Sequence, residues 1–124
     1  MKIPEGHQSV MPYLMVNGAV QFLSFLENVF QAEKIYWMPR EDGSLMHAEV
    51  NIHGSTIMFS ESQDPGDNLS NKFFIYVENA DETYQKALDS GAKAISDLAN
   101  KEYGRSGGVI DPFGITWWIT STKE

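Results

Sequence analysis

Cysteine is absent from the 124 residues, which excludes a disulfide framework, a thiol nucleophile and a thiolate metal site. Its absence fits a reducing compartment. No apolar run approaches the roughly 18 residues of a membrane-spanning helix. The N-terminal MKIPEGHQS lacks the apolar core of a secretory signal. The expected location is therefore the cytoplasm. Positive charge is scarce: 9 Lys and Arg stand against 17 Asp and Glu, a net charge of −8. Such a chain repels phosphate backbones, so nucleic acid is not an expected partner. No basic amphipathic helix is present for a membrane surface. The GxxxxGK[ST] phosphate loop is missing. The 3 histidines are too scattered to define a Ser-His-Asp set.

What is present suits one domain spanning 1–124, since hydrophobic residues make up 42% of the chain, enough for a core. Residues 1–8 read as a loose terminus. Ser9–Val16 reads as a strand, and Pro12 inside it suggests an edge or a rim. Asn17 is a candidate helix cap. Ala19, Phe22, Leu23, Leu26, Val29 and Phe30 then follow the spacing of one buried helix face. Strands follow at Glu33–Pro39, Leu45–Ile52 and Ser55–Glu61, joined by turns at Glu41-Asp42-Gly43 and His53-Gly54. The polar stretch SQDPGDNLSN, about 62–71, reads as a linker.

The order then starts again. Phe73–Val77 is a strand, and Asn79 with Glu82 forms a capping box. Ala80, Tyr84, Ala87 and Leu88 form the inner face of the second helix, and Gly91 stops it. A strand begins at Ala94–Ile95 and an irregular stretch covers Asp97–Gly104. Strands Ser106–Ile110 and Thr116–Thr120 flank the turn Asp111-Pro112-Phe113-Gly114. Val16-Asn17-Gly18-Ala19 lies 61 positions before Val77-Glu78-Asn79-Ala80, and Gly54–Ser60 lies 60 before Gly114–Thr120. A repeat of this period marks one supersecondary unit used twice. Unit one spans about 9–61 and unit two about 72–121.

The expected class is α+β: two βαβββ repeats forming a curved mixed sheet around a cavity. One face of each sheet needs its helix, and alternation sorts the rest. Met11, Tyr13 and Met15, His47, Glu49 and Asn51, and Thr56, Met58 and Ser60 fall on the inward face of unit one. Lys72, Phe74 and Tyr76, with Thr116, Trp118 and Thr120, do so in unit two.

The repeated unit, the PYL-M-V first strand, the HAE third strand and the DPFG-x-x-W last hairpin resemble the vicinal oxygen chelate superfamily. That superfamily includes glyoxalase I, extradiol dioxygenases and bleomycin- and fosfomycin-resistance proteins. The PhnB-like branch, with its DPFGHRW-like signature, is the nearest in pattern. Residues 9–121 carry the resemblance. Its metal-dependent members place ligands at four equivalent positions, which here hold Met11, Met58, Lys72 and Trp118. None is His, Glu or Gln. Lysine is only a donor, and thioethers suit soft ions, so no metal and no cofactor is expected. Ile115 stands where the branch carries His after DPFG.

His47 and Glu49, two apart on one strand, are the candidate acid–base pair. Tyr13, Met58, Phe74, Tyr76 and Trp118 are candidate walls of a small-molecule pocket, and Trp37 and Tyr103 are further aromatic candidates. Arg105, in the glycine-containing KEYGRSGG stretch, is a candidate anion anchor at its mouth. Lys72 is either a second anchor or a solvent-facing strand start. Three roles follow: a metal-independent binder of a small organic ligand, a lyase- or oxygenase-type enzyme relocated to His47 and Glu49, or a non-catalytic interaction protein. Each is expected to act as a homodimer.

Overall fold

The structure is a computed structural model describing residues 1–64 and 71–123; most of the expected linker, residues 65–70, lies outside the described residues. Unit one runs β1 (Tyr13–Val16), α1 (Ala19–Phe30), β2 (Glu33–Pro39), β3 (Leu45–Ile52) and β4 (Ser55–Glu61). Unit two runs β5 (Lys72–Tyr76), α2 (Ala80–Asp89), β6 (Lys93–Lys101), β7 (Gly104–Ile110) and β8 (Thr116–Thr122). The sheets are four-stranded, in the orders β1-β4-β3-β2 and β5-β8-β7-β6. In each, the first strand runs parallel to the last and the remaining pairs are antiparallel. The α+β class and the twofold βαβββ repeat are thus as the sequence implies.

Several boundaries differ, each for a local reason. The strand expected from Ser9 begins only after Pro12, although the Pro12 carbonyl still accepts the Met58 N–H at 2.9 Å. Gly18, not Asn17, is the N-cap of α1, with φ of 93°. The capping oxygen comes from another strand: Glu61 accepts from Gly18 N at 3.0 Å and Ala19 N at 2.8 Å. A carboxylate there also suits the positive end of the helix dipole. Phe25 joins the buried face of α1, and Leu23 is only partly buried. The stretch expected to be irregular, Asp97–Gly104, is mostly β6, with register shifts between Ala94 and Ser96 and between Ser96 and Ala99. Those bulges break the alternation that marks a strand in sequence. The Asn79 cap holds as expected, accepting from Glu82 N at 3.1 Å.

One core serves both units. Phe22 packs edge-to-face on Phe59 of its own sheet at 4.9 Å and on Phe113 of unit two at 5.2 Å. Phe30 meets Trp117 at 4.6 Å. The helix-covered faces of both sheets therefore feed a single apolar cluster. Asp111 anchors the last hairpin beneath it. One carboxylate oxygen accepts from Phe113 N and Ile115 N at 2.8 and 2.9 Å. The other accepts from Trp117 Nε1 at 2.8 Å. Burial pushes this carboxyl up, and the three N–H donors, led by Trp117, pull it back. No helix among the described residues is long and apolar enough to cross a membrane.

Candidate functional site

The second face of each sheet turns away from the core. In the single chain it stays open, with Tyr13, Phe74 and Tyr76 exposed at 50%, 49% and 55%. These are the faces that alternation assigns as inward.

On the unit-one face a hydrogen-bonded chain crosses three strands. Glu49 lies opposite Met58, and Met58 opposite Tyr13. One oxygen of Glu49 meets His47 Nε2 at 3.0 Å, and the other meets His7 Nε2 at 2.7 Å. His47 Nδ1 lies 3.4 Å from the Tyr13 hydroxyl, which is 3.0 Å from Ser60 Oγ. Ser60 donates to the Met46 carbonyl at 2.6 Å. His47 and Glu49 are therefore brought together as the sequence suggests, and His7 and Ser60 join them unforeseen.

The donors in this chain have one consistent direction. An ionised carboxylate only accepts, so both Nε2 atoms carry hydrogen toward Glu49. Ser60 spends its hydrogen on Met46, so Tyr13 donates to Ser60. His47 Nδ1 then faces a lone pair on Tyr13 and bonds only if it too carries hydrogen. Every link is satisfied when His47 is an imidazolium; a neutral His47 makes Tyr13 choose between Nδ1 and Ser60. His47 therefore connects Glu49 to the Tyr13 hydroxyl through hydrogen bonds on both ring nitrogens.

The N-terminus is the surprise. Residues expected to be loose are laid on this face: Gln8 Nε2 donates to the Thr56 carbonyl at 2.7 Å, and its Oε1 accepts from Thr56 N at 3.3 Å. Thr56 Oγ1 donates to the Gly6 carbonyl. No local pattern marks His7, because its partner is 42 residues away.

The hydrogen bond from His7, and then that from His47, hold the Glu49 carboxyl below its usual range against the opposing effect of burial. A depressed carboxyl contributes stability above its unfolded value, near 4.5, and loses it as pH falls through the folded value. Glu49→Gln is therefore expected to flatten the acid side of the stability profile. At pH 6 it should cost about 1.5–3 kcal/mol, as for hydrogen bonds to a charged group, and the cost should shrink as pH is lowered from 6 through the acid range. Denaturant midpoints of both proteins across that range check this; equal slopes would refute it.

On the unit-two face, Phe74 packs edge-to-face on Tyr76 at 5.0 Å and lies 6.1 Å from Tyr103. Trp118, opposite Phe74, is half-buried. Gly107 and Gly108, within the strand expected over Ser106–Ile110, lie inside β7 and give room to rings. A Cβ on Gly107 would come within 2.8 Å of Tyr84 on the helix side. One on Gly108 would come within 2.6 Å of Trp118 on the open side. A groove of about 420 Å³ runs between Pro12, Ile52 and Ile57 of unit one and Phe74 and Tyr76 of β5; it does not reach His47 or Glu49.

Arg105 is not with these residues. It projects on the helix side of β7, where Nε and Nη2 grip Asp81 at 2.5 and 3.2 Å and Nη1 reaches Asn100 at 3.2 Å. Trp37 also turns to the core, 6.4 Å from Phe59.

The four family metal positions do not suit a divalent cation here. Met11 and Met58 offer thioethers, Lys72 an ammonium, and Trp118 an indole whose nitrogen only donates. Among the described residues, no group of three or more His, Cys, Asp or Glu is arranged to hold a metal ion. Although His7, Glu49 and His47 are adjacent, the imidazoles bind opposite oxygens of the carboxylate and share no centre.

Comparisons with known proteins agree with the fold. An uncharacterized protein of Mycobacterium bovis is 31% identical over 121 residues, covering 88% of this chain and 80% of its own. A PhnB protein from Bacillus cereus, described as a putative 3-demethylubiquinone-9 3-methyltransferase, superposes with a TM-score of 0.73 at 18% identity, covering 93% of this chain and all of its own. FosX, a fosfomycin resistance protein from Listeria monocytogenes solved with Mn(II) and sulfate, gives 0.73 at 18% identity, covering 94% of this chain and 90% of its own. Both likenesses are of fold. The Glyoxalase/Bleomycin resistance protein/Dioxygenase family model matches residues 8–119. With that match over nearly the whole chain, the protein belongs to this superfamily, the vicinal oxygen chelate proteins.

Proposed function

We propose that the protein binds a small organic ligand against its aromatic sheet faces, without the divalent metal of its metal-dependent relatives. The carrying observation is what stands at the four metal positions: Met11, Met58, Lys72 and Trp118, beside the open rings of Tyr13, Phe74 and Tyr76. The cavity is completed by a second copy of the chain. A sheet face with this much exposed aromatic surface needs cover, and the polar face of one unit complements the aromatic face of the other. In cells the protein acts in the cytoplasm.

The test is a thermal-shift screen of small aromatic compounds on protein offered Mn(II), Ni(II) and Zn(II) and then washed. A ligand present at 100 times its Kd adds about 2.7 kcal/mol to stability, a shift of several degrees. The expected result is aromatic hits without stoichiometric metal. No hit across the screen, or one metal per chain, would overturn the reading. Light scattering is expected to give twice the 14.0 kDa chain mass.

A second reading, a lyase- or oxygenase-type enzyme, is favoured by the hydrogen-bonded chain from Glu49 through His47 to Tyr13. It places a proton-bearing phenol on the same open face. A His47→Ala variant that retains any detected activity in full would end it.

A further inference from the structure

The two units have diverged at equivalent places, and strand register shows how. In unit one, Tyr13, Met58 and Glu49 lie side by side across β1, β4 and β3. In unit two, Phe74, Trp118 and Gly108 hold the matching row across β5, β8 and β7. The phenol has become a phenyl ring, the thioether an indole, and the carboxylate a glycine. These changes belong together. With no Cβ at Gly108, the six-membered ring of Trp118 settles over β7, where a Cβ would meet its Cζ3 at 2.6 Å and its Cε3 at 2.8 Å. Trp118 is only half-buried there, so part of the indole is exposed on the open face, where another flat ring can stack. Phe74, braced by Tyr76 and Tyr103, stands beside it as a wall.

The next row carries charge. Lys72, Thr116, Ile110 and Lys93 are successive partners across β5, β8, β7 and β6. Lys72 shares the face of Phe74, two residues away, roughly 7 Å along the strand. Among the described residues it enters none of the ion pairs, whereas Arg105 is already held by Asp81. On a chain with net charge −8, this row sets a local cation beside a stacking floor.

We infer that the open face of unit two is a subsite for a planar aromatic anion: its ring stacks on Trp118 against Phe74, and its carboxylate or phenolate meets Lys72. The assignment rests on the ligand-binding role proposed above and narrows it to a ligand class. A flat ring gains from the indole face, as base–aromatic stacking does in other proteins. The charge supplies the choice among flat rings.

Three probes separate the contributions: 2-naphthoate, its neutral amide 2-naphthamide, and cyclohexanecarboxylate. Titration of the intact protein, followed by tryptophan fluorescence and calorimetry, is expected to rank naphthoate about tenfold tighter than naphthamide, as for one charge-assisted contact. Cyclohexanecarboxylate should bind weakest. Lys72→Gln should bring naphthoate down to the amide and leave the amide unchanged. Trp118→Leu should weaken both aromatic probes at least tenfold. Gly108→Ala, which displaces the indole without removing it, should do the same; circular dichroism verifies that each variant is folded. Equal binding of naphthoate and naphthamide, or a Lys72→Gln protein that still separates them, overturns the aromatic-anion subsite while ligand binding stands. Failure of all aromatic compounds, these and those of the screen, overturns both.

Discussion

Phe22→Ala is expected to destabilise the protein by about 3–5 kcal/mol, the usual cost of emptying a buried aromatic site. Phe22 is fully buried on α1, between Phe59 of its own sheet and Phe113 of the unit-two hairpin. Removing its ring therefore opens the seam between the two repeats as well as the core of the first. A domain of ordinary stability has about 5–15 kcal/mol in total, so a large share would go. Because one cluster joins both units, the loss should appear as one denaturation transition moved to lower denaturant. Phe22→Leu, which keeps most of the volume, should recover part of it. Two transitions, with only the first shifted, would mean that the units fold separately and that the shared core is energetically unimportant.

Much of this architecture is legible in the sequence because duplication repeats the signals. The helix faces, the two-residue turn at His53-Gly54 and the Asn79 cap follow local rules, and the structure has all three. The Asn17 expectation fails because the cap of α1 comes from Glu61, which is 43 residues from Gly18. The second strand of unit two, β6, is obscured by bulges, which cancel period two where it would be read. At the site the same division holds. His47 and Glu49 share a strand face, so spacing alone pairs them. His7 reaches Glu49 from the terminus, and no spacing announces it. In KEYGRSGG the strand over Ser106–Ile110 is legible, but the task of its two glycines is not, because small residues carry no pattern of their own. Here they mark close approach of rings from opposite sides, Tyr84 to Gly107 and Trp118 to Gly108. Arg105 illustrates a further limit. A side chain's type suggests anion binding, but its face on the strand decides the partner, and that partner is Asp81.

Asp111→Ala should cost about 3 kcal/mol or more, since three buried N–H groups lose their acceptor and an orphaned buried donor costs about 1–3 kcal/mol. The asparagine variant is the more telling one. Asparagine keeps one carbonyl oxygen, which can still accept from Phe113 N and Ile115 N. Its amide then turns N–H against the N–H of Trp117 Nε1, replacing a 2.8 Å hydrogen bond with two opposed donors. Asp111→Asn alone is therefore expected to cost about 1–3 kcal/mol. In a Trp117→Phe background no indole N–H remains to oppose, so the same substitution should cost clearly less. The two changes should couple by about 1 kcal/mol or more, within the range for residues in direct contact. Denaturant unfolding of the four proteins measures this coupling. A value near zero would mean that Asp111 holds only the turn backbone. A clear coupling would tie the DPFG hairpin to the indole that packs on Phe30 and Phe73, the buried neighbour of the Trp118 floor. The hairpin would then be the structural support that fixes where that floor lies.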